Sequence, residues 1–233
     1  VRSYVLSTLI QIGEELKLKA AAITQATSPE TYQIIQQLYL TITQAEILQY
    51  AKIIDTANSN PTNLVFFRDQ FMAENTSWIF NQFGDVKIAL WAHNAHVAKN
   101  DAYVNNSGFS MGQHLKNKYG VNYQVIGFSL GEGQFNSTSN KSSQLETFTI
   151  KEPQVGSINE LFVTPKADAY IVNLSSLSLK NNWQSRLNSL QPFLGILGLF
   201  DVSNLSSYSQ PIILQDQFDY IIHFDKTTAS KFL

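Results

Sequence analysis

Between residues 86 and 97 an apolar run, Val86-Lys87-Ile88-Ala89-Leu90, leads straight into Trp91-Ala92-His93-Asn94-Ala95-His96-Val97. Hydrophobic residues that end abruptly in a polar cluster read as a buried strand followed by a loop. Strands alternating with helices put such loops at the carboxyl edge of an α/β sheet, where ligands collect. The chain has four histidines, and two of them stand three apart here with an amide between them. Indole, imidazole and carboxamide at one strand exit can bind, polarise and move protons.

The flanking sequence divides into two grammars. Up to residue 84 it is helical. Val5, Leu9, Ile12 and Leu16 make one apolar stripe at three- and four-residue spacing. Ser28-Pro29 starts a second helix, with serine capping free amides and proline fitting the first turn. Tyr32, Ile35, Leu38, Ile42 and Ala45 continue its inward face to about Thr56, and Asn58-Ser59-Asn60-Pro61 turns the chain. A third helix with Phe67, Phe71, Trp78 and Ile79 inward ends near Gly84.

From residue 85 strand and helix alternate. Strands are expected at Val86–Trp91, Tyr123–Phe128, Thr147–Ile150, Ala169–Leu174 and Tyr220–Phe224. Helices are expected at Met111–Tyr119, stopped by Gly120, and at Ile158–Phe162 and Asn182–Leu187. The first two strands with their intervening helix form a βαβ unit, which implies parallel pairing. The expected architecture is α/β: a parallel-rich central sheet with flanking helices and an all-helical N-terminal third. Residues 1–84 and 85–233 are expected to be two segments of one domain.

Composition narrows the function. The net charge of −2 comes from 16 basic and 18 acidic residues without long runs of either sign, so no electrostatic grip on nucleic acid or anionic lipid is expected. Cysteine is absent, which removes disulfides, thiolate zinc sites and thiol nucleophiles. The longest apolar stretch, Phe193 to Phe200, is far shorter than the ~20 residues of a spanning helix, so no membrane partner is expected. The start Val1-Arg2-Ser3-Tyr4-Val5 has neither methionine nor signal-peptide grammar and reads as the middle of a longer chain. The compartment stays open, with the cytoplasm the default expectation. Asn136-Ser137-Thr138 and Asn204-Leu205-Ser206 match glycosylation triplets, as an Asn- and Ser-rich chain does by chance.

His93 and His96 admit three readings. They can be catalytic, since imidazole titrates near neutrality. They can be half of a metal site, although no carboxylate pattern supplies the other ligands, so no metal and no cofactor are expected. Or they are structural, bonded to main chain at a strand end. His114 and His223 lack polar neighbours in sequence and are expected at the surface or at a strand end.

In Arg68-Asp69-Gln70-Phe71-Met72-Ala73-Glu74-Asn75 a helix places Arg68, Met72 and Asn75 on one face. Arg68 and Asn75 there either clamp a carboxylate or carbonyl, or serve as an ion pair and a helix-bridging amide. Gly127, Gly131 and Gly133 mark a tight loop after the second strand that is neither a dinucleotide fingerprint nor a nucleophile elbow. Glu132 in that loop either orients the histidines or faces water. Asn136–Gln144 is polar and expected as an exposed loop.

Together these runs resemble the erythromycin esterase-like family. Its members carry an Arg-Asp-x-x-Met-Ala-x-Asn helix, matched by Arg68 to Asn75, and a strand ending in Trp-Ala-His-Asn-x-His, matched by Trp91 to His96. A Met-Gly-x-x-Leu helix follows, matched by Met111-Gly112-Gln113-His114-Leu115, then a glycine-rich strand end like Gly127–Phe135. A Phe-Asp-hydrophobic strand with a later Thr-Thr closes the series, matched by Phe218-Asp219-Tyr220-Ile221-Ile222 and Thr227-Thr228.

The resemblance implies an α/β fold and metal-independent hydrolysis of a carboxylic ester or lactone, a macrolide in the antibiotic-resistance members. It implies that His93 and His96 are catalytic and that the helix carrying Arg68 and Asn75 borders the cleft; Arg68, Asn75, Trp91, Asn94 and Glu132 are expected to bind substrate there. It also implies a bacterial source. Family chains are much longer, and their N-terminal half contributes a Gly-Glu-x-x-His-Gly strand end that is missing here. This chain is therefore expected to be the C-terminal part of such a domain. It would supply about half of the site, need the other half as partner, and have little hydrolase activity by itself. Its uncovered helical stripe or sheet edge would favour homo-oligomers. The alternative is a catalytically silent domain that binds a small molecule or a protein through the same cleft.

Overall fold

The structure, a computed structural model, describes residues 2–58, 62–84, 86–100, 109–165, 167–174, 182–195, 199–201 and 206–231. The turn expected at 59–61 and the triplet at Asn204 lie outside these residues. The chain forms two compact units, Val1–Phe71 and Met72–Leu233.

The first unit is helical: α1 (Arg2–Leu18), α2 (Ala20–Ala26), α3 (Pro29–Asn58) and the opening of α4 (Thr62–Phe83). Ser28 caps α3 as expected, its hydroxyl accepting the Thr31 amide at 3.1 Å. Leu9 is buried, but Ile12 is open to solvent. The expected face of α3 is corrected beyond Ile35. Leu38 is 59% exposed and Ile42 57%, while Gln44, Ala51 and Asp55 are buried. Tyr39 sets this rotation by packing across Gly13 of α1, where an added Cβ would stand 2.4 Å from the phenol oxygen. The phenol of Tyr32 donates to the Leu16 carbonyl at 3.1 Å, and buried Asp55 accepts the Leu64 amide at 2.7 Å, joining α3 to the start of α4.

The second unit takes the rest of α4 and an α/β assembly. Its sheet holds β1 (Ile126–Ser139), β2 (Leu145–Ile150), β3 (Ala169–Asn173), β5 (Leu199–Phe200) and β7 (Tyr220–Thr227) in the order β2-β1-β7-β3, with β5 beside β1. β1 runs parallel to β7 and β5 but antiparallel to β2, and β3 is antiparallel to β7. A two-stranded ladder pairs β4 (Gln191–Leu194) with β6 (Ser209–Ile212). Short helices α5 (Asn94–Val97), α6 (Met111–Tyr119), α7 (Ile158–Phe162), α8 (Asn182–Leu187) and α9 (Leu214–Gln217) connect and cover these strands.

The core gathers Ala73 of α4, Ala95 and Val97 of α5, Met111 and Leu115 of α6, Phe162, Phe193 and Ile221. Ile79, expected inward, is exposed. No helix among the described residues is long and apolar enough to cross a membrane.

The α/β class holds, with a mixed sheet, but the route through it differs from the expected βαβ unit. Residues 86–91 form no strand, and no strand among the described residues pairs with them. The long parallel partner of β1 is β7, from the far end of the sequence. The supposed glycine loop at 131–135 is strand interior, and the polar segment from Asn136 continues it to Ser139. The glycines are there because β7 lies so close. A Cβ at Gly131 would stand 2.6 Å from the Asp225 carbonyl oxygen, and one at Gly133, with φ +128°, 2.2 Å from that of Thr227.

Candidate active site

The histidine segment is one turn of helix. His93 stands at its N-cap with extended backbone, and its carbonyl accepts the amides of His96 at 2.9 Å and Val97 at 3.2 Å. Ala95, Val97 and Ala98 are the turn's buried feet. His93 is exposed and His96 half-buried. The protein atoms packed around His93, and secondarily the neighbouring charge of His96, hold its imidazole below the ordinary range. His93 is thus neutral at pH 7 and free to accept a proton.

Three elements hold the turn. The Ser110 hydroxyl donates to the Ala98 carbonyl at 2.8 Å and also caps α6, accepting the Gln113 amide at 3.0 Å. Tyr123 donates its phenol to the Val97 carbonyl at 2.8 Å. Burial, with the Asp219 charge second, pushes that phenol up, so it remains a donor. Gly112 lets α6 back directly onto the turn, since a Cβ there would stand 2.2 Å from the Val97 carbonyl oxygen and 2.3 Å from that of Ala98. Past the turn, the Lys99 ammonium pairs with Asp219 at 2.7 Å, and the second Asp219 oxygen accepts the Val125 amide at 2.7 Å.

Sequence reasoning overlooked Ser110, Tyr123 and Lys99 as supports. Each acts across many residues, and local spacing carries no mark of that. The pair side chains of Lys99 and Asp219 are 12% and 18% exposed. Asp219→Ala would leave a mostly buried ammonium and the Val125 amide unmatched. It should destabilise the second unit by about 2–4 kcal/mol, discounted from a fully buried pair. Urea unfolding checks this, and an unchanged midpoint would mean that the pair is ornamental.

Of the other candidates, Trp91 is 88% exposed, and its ring meets Phe128 of β1 edge-on at 5.3 Å. Phe128 in turn stacks on Phe224 of β7 at 6.5 Å. The Asn94 amide bonds the main chain of Phe128 on both sides, donating to its carbonyl at 2.7 Å and accepting its amide at 3.0 Å. The Glu132 carboxylate, on β1, meets Lys226 of β7 at 2.6 Å. Asn75 is half-buried on α4, two residues beyond core residue Ala73. Arg68 belongs to the first unit, with its guanidinium 4.0 Å from buried Asp69.

The remaining histidines differ from expectation in one case. His114 is half-buried beside Phe109, with ring centres 5.5 Å apart. His223, expected at the surface or a strand end, is fully buried inside β7. Its Nδ1 lies 3.1 Å from the Ser129 hydroxyl, and Phe162 and Tyr170 pack on its ring. Alternation along β7 puts position 223 on the covered side of the sheet, and its polarity did not overrule that placement.

The fold and turn define an α/β protein that presents a histidine pair beside a mixed sheet. The erythromycin esterase family model matches residues 4–227, and the chain belongs to that family. Among curated proteins, erythromycin esterase type II of Escherichia coli is 29% identical over 103 residues, covering 40% of this chain and 24% of that enzyme. A Bacillus cereus protein of solved structure superposes with a TM-score of 0.79 at 22% identity, over 98% of this chain and 53% of that one. A histidine-to-asparagine mutant of the erythromycin esterase EreC, in its open conformation, superposes with a TM-score of 0.71 at 16% identity, over 99% of this chain and 53% of that one. The chain thus spans about half the length of the solved relatives it matches.

Proposed function

We propose that this chain carries part of the active site of a metal-independent hydrolase of carboxylic esters or lactones, macrolides among them. In this reading His93 and His96 are its catalytic groups. The observation that carries it is the histidine turn itself: two imidazoles on one braced helical turn, one of them held neutral at pH 7. Family membership supplies the reaction class, and the curated relative's name suggests the macrolide. Neutral His93 would take a proton from water as the water oxygen bonds to the ester carbonyl carbon. His96 would stabilise the resulting oxyanion. Collapse of the tetrahedral species breaks the carbon–oxygen bond to the leaving alkoxide, which recovers the proton from His93, giving acid and alcohol.

Asn75, Trp91 and Glu132 are the proposed substrate-facing residues of the second unit. About half of the site would come from the rest of a full-length family domain.

The test is an ester and macrolide panel, run with the chain by itself and mixed with the other half of a family domain. Turnover should need the mixture. His93→Ala or His96→Ala should lower its kcat/KM by about 10²–10⁴-fold. The rate should fall as the pH drops through the His93 value, which lies below the usual ~6.5, because only the neutral ring is a base. Robust turnover by the chain unaided, abolished by His96→Ala, would overturn the half-site reading. Binding of a panel member with no turnover in either arm would favour a silent binding domain.

A further inference from the structure

We infer that Asn94 is a positioning residue, holding the His93–His96 turn on the edge of β1 through a two-bond clamp to the main chain of Phe128. Its catalytic meaning rests on the hydrolase reading above.

The geometry is specific. One carboxamide satisfies both polar main-chain groups of Phe128, at 2.7 Å and 3.0 Å, much as a neighbouring strand would. The partners are 34 residues apart in sequence. Two positions along β1, the Leu130 carbonyl is met by another side-chain amide, that of Asn159, at 3.1 Å. Asparagine therefore stands in twice for ladder bonds on this strand. The exit of the turn is braced by Ser110 and Tyr123 at the Ala98 and Val97 carbonyls. Its start, where His93 leads into the helix, is braced by Asn94.

The amide is committed in both senses, as donor and as acceptor. Rotating it toward a ligand would break both bonds and leave the Phe128 main chain unpaired in a half-buried position. A substrate contact through this side chain would thus work against the clamp. Bonding both imidazoles' carrier to β1 also sets their distance from Trp91 and Phe128, whose rings already touch.

The experiment needs no catalysis. In the 233-residue chain, hydrogen exchange should find the Phe128 amide protected, and Asn94→Ala should lower that protection by about 10-fold or more. In the same variant the His93 titration should move toward the free-imidazole value of ~6.5 as the turn loosens. Ile212→Ala, a core truncation in β6, should reduce thermal stability while leaving the His93 titration in place. A protected Phe128 with an unmoved His93 titration in Asn94→Ala, or an equal shift in Ile212→Ala, would overturn the proposal.

Should Asn94→Ala not fold, through-hydrogen-bond coupling between the Phe128 amide nitrogen and the Asn94 side-chain carbonyl in the unsubstituted protein decides, its absence counting against the clamp. In the assembled enzyme, Asn94→Ala should cost kcat about 10–100-fold with KM nearly constant. A raised KM at constant kcat would make Asn94 a substrate contact and overturn the inference. No turnover from the unsubstituted assembly would sink the hydrolase reading, while the exchange and titration results would still decide the clamp.

Discussion

Gly112→Ala should lower the stability of the second unit by about 2–3 kcal/mol, toward the upper end of what overpacking costs. In thermal unfolding this is a fall of about 5–10 °C for a unit of this size. The reason is the nature of the neighbours. The new methyl would stand 2.2 Å from the Val97 carbonyl oxygen, 2.3 Å from the Ala98 oxygen and 2.4 Å from the Val97 carbonyl carbon, all main chain of the histidine turn and its exit. A flexible side chain could step aside; this backbone is held by Ser110 and Tyr123 and cannot. Either α6 lifts away, or the turn shifts and takes His93 and His96 with it. Asn117→Ala, on the exposed side of the same helix, should be nearly neutral. A Gly112→Ala protein as stable as the parent, with unchanged histidine spectra, would show that α6 does not back the turn so closely.

Acid should weaken the second unit well before its carboxylates protonate, and His223 is the reason. Burial, partly offset by the Asp225 charge, lowers its imidazole below the ordinary value. Its Nε2 has no hydrogen-bond partner among the described residues, so a charged ring would hold a buried N–H without an acceptor. Above the unfolded value of about 6.5 the ring is neutral in both states, and its full contribution to stability is present. As the pH falls below 6.5 the unfolded ring takes a proton that the folded ring refuses. Stability then drops by up to about 1.4 kcal/mol per pH unit, until the folded ring titrates. His93 shifts in the same direction, but its exposure makes its share smaller. Urea unfolding at pH 7.5 and pH 5.0 measures the drop. His223→Gln keeps an acceptor for Ser129 and removes the titration, so most of the drop should vanish; an unaltered acid slope would assign it elsewhere.

Helices were the most legible part of the fold, because their signals are local. Ser28 before Pro29, Gly120 after Tyr119, and the apolar spacing of Met111–Tyr119 lie within a few residues of the structure they specify. Orientation around a helix axis was less legible. Leu38 and Ile42 look as apolar as any core residue, yet Tyr39 takes the inward place because Gly13 leaves room for its ring. Strand order was not legible at all. The run at 86–91 and β7 are both apolar and β-branched, and hydropathy does not say which of them lies beside β1. The glycines at 131 and 133 look like a loop unless one knows that β7 passes within reach of any Cβ there.

The candidate site divides along the same line. The sequence by itself determined the inventory: a histidine pair at helical spacing, an amide between them, no cysteine, and motifs in family order, since covalent order and residue chemistry are local properties. Only the tertiary structure decided what each group is committed to. Asn94 is engaged by Phe128, Glu132 by Lys226, and Asp219 by Lys99 and Val125, through contacts spanning 34 residues for the first and 94 to 120 for the last two. A side chain's chemistry is set by its type, but its partner is set by whichever distant segment the hydrophobic core brings beside it. That choice minimises unpaired polar groups over the whole unit at once, and no window of sequence contains it.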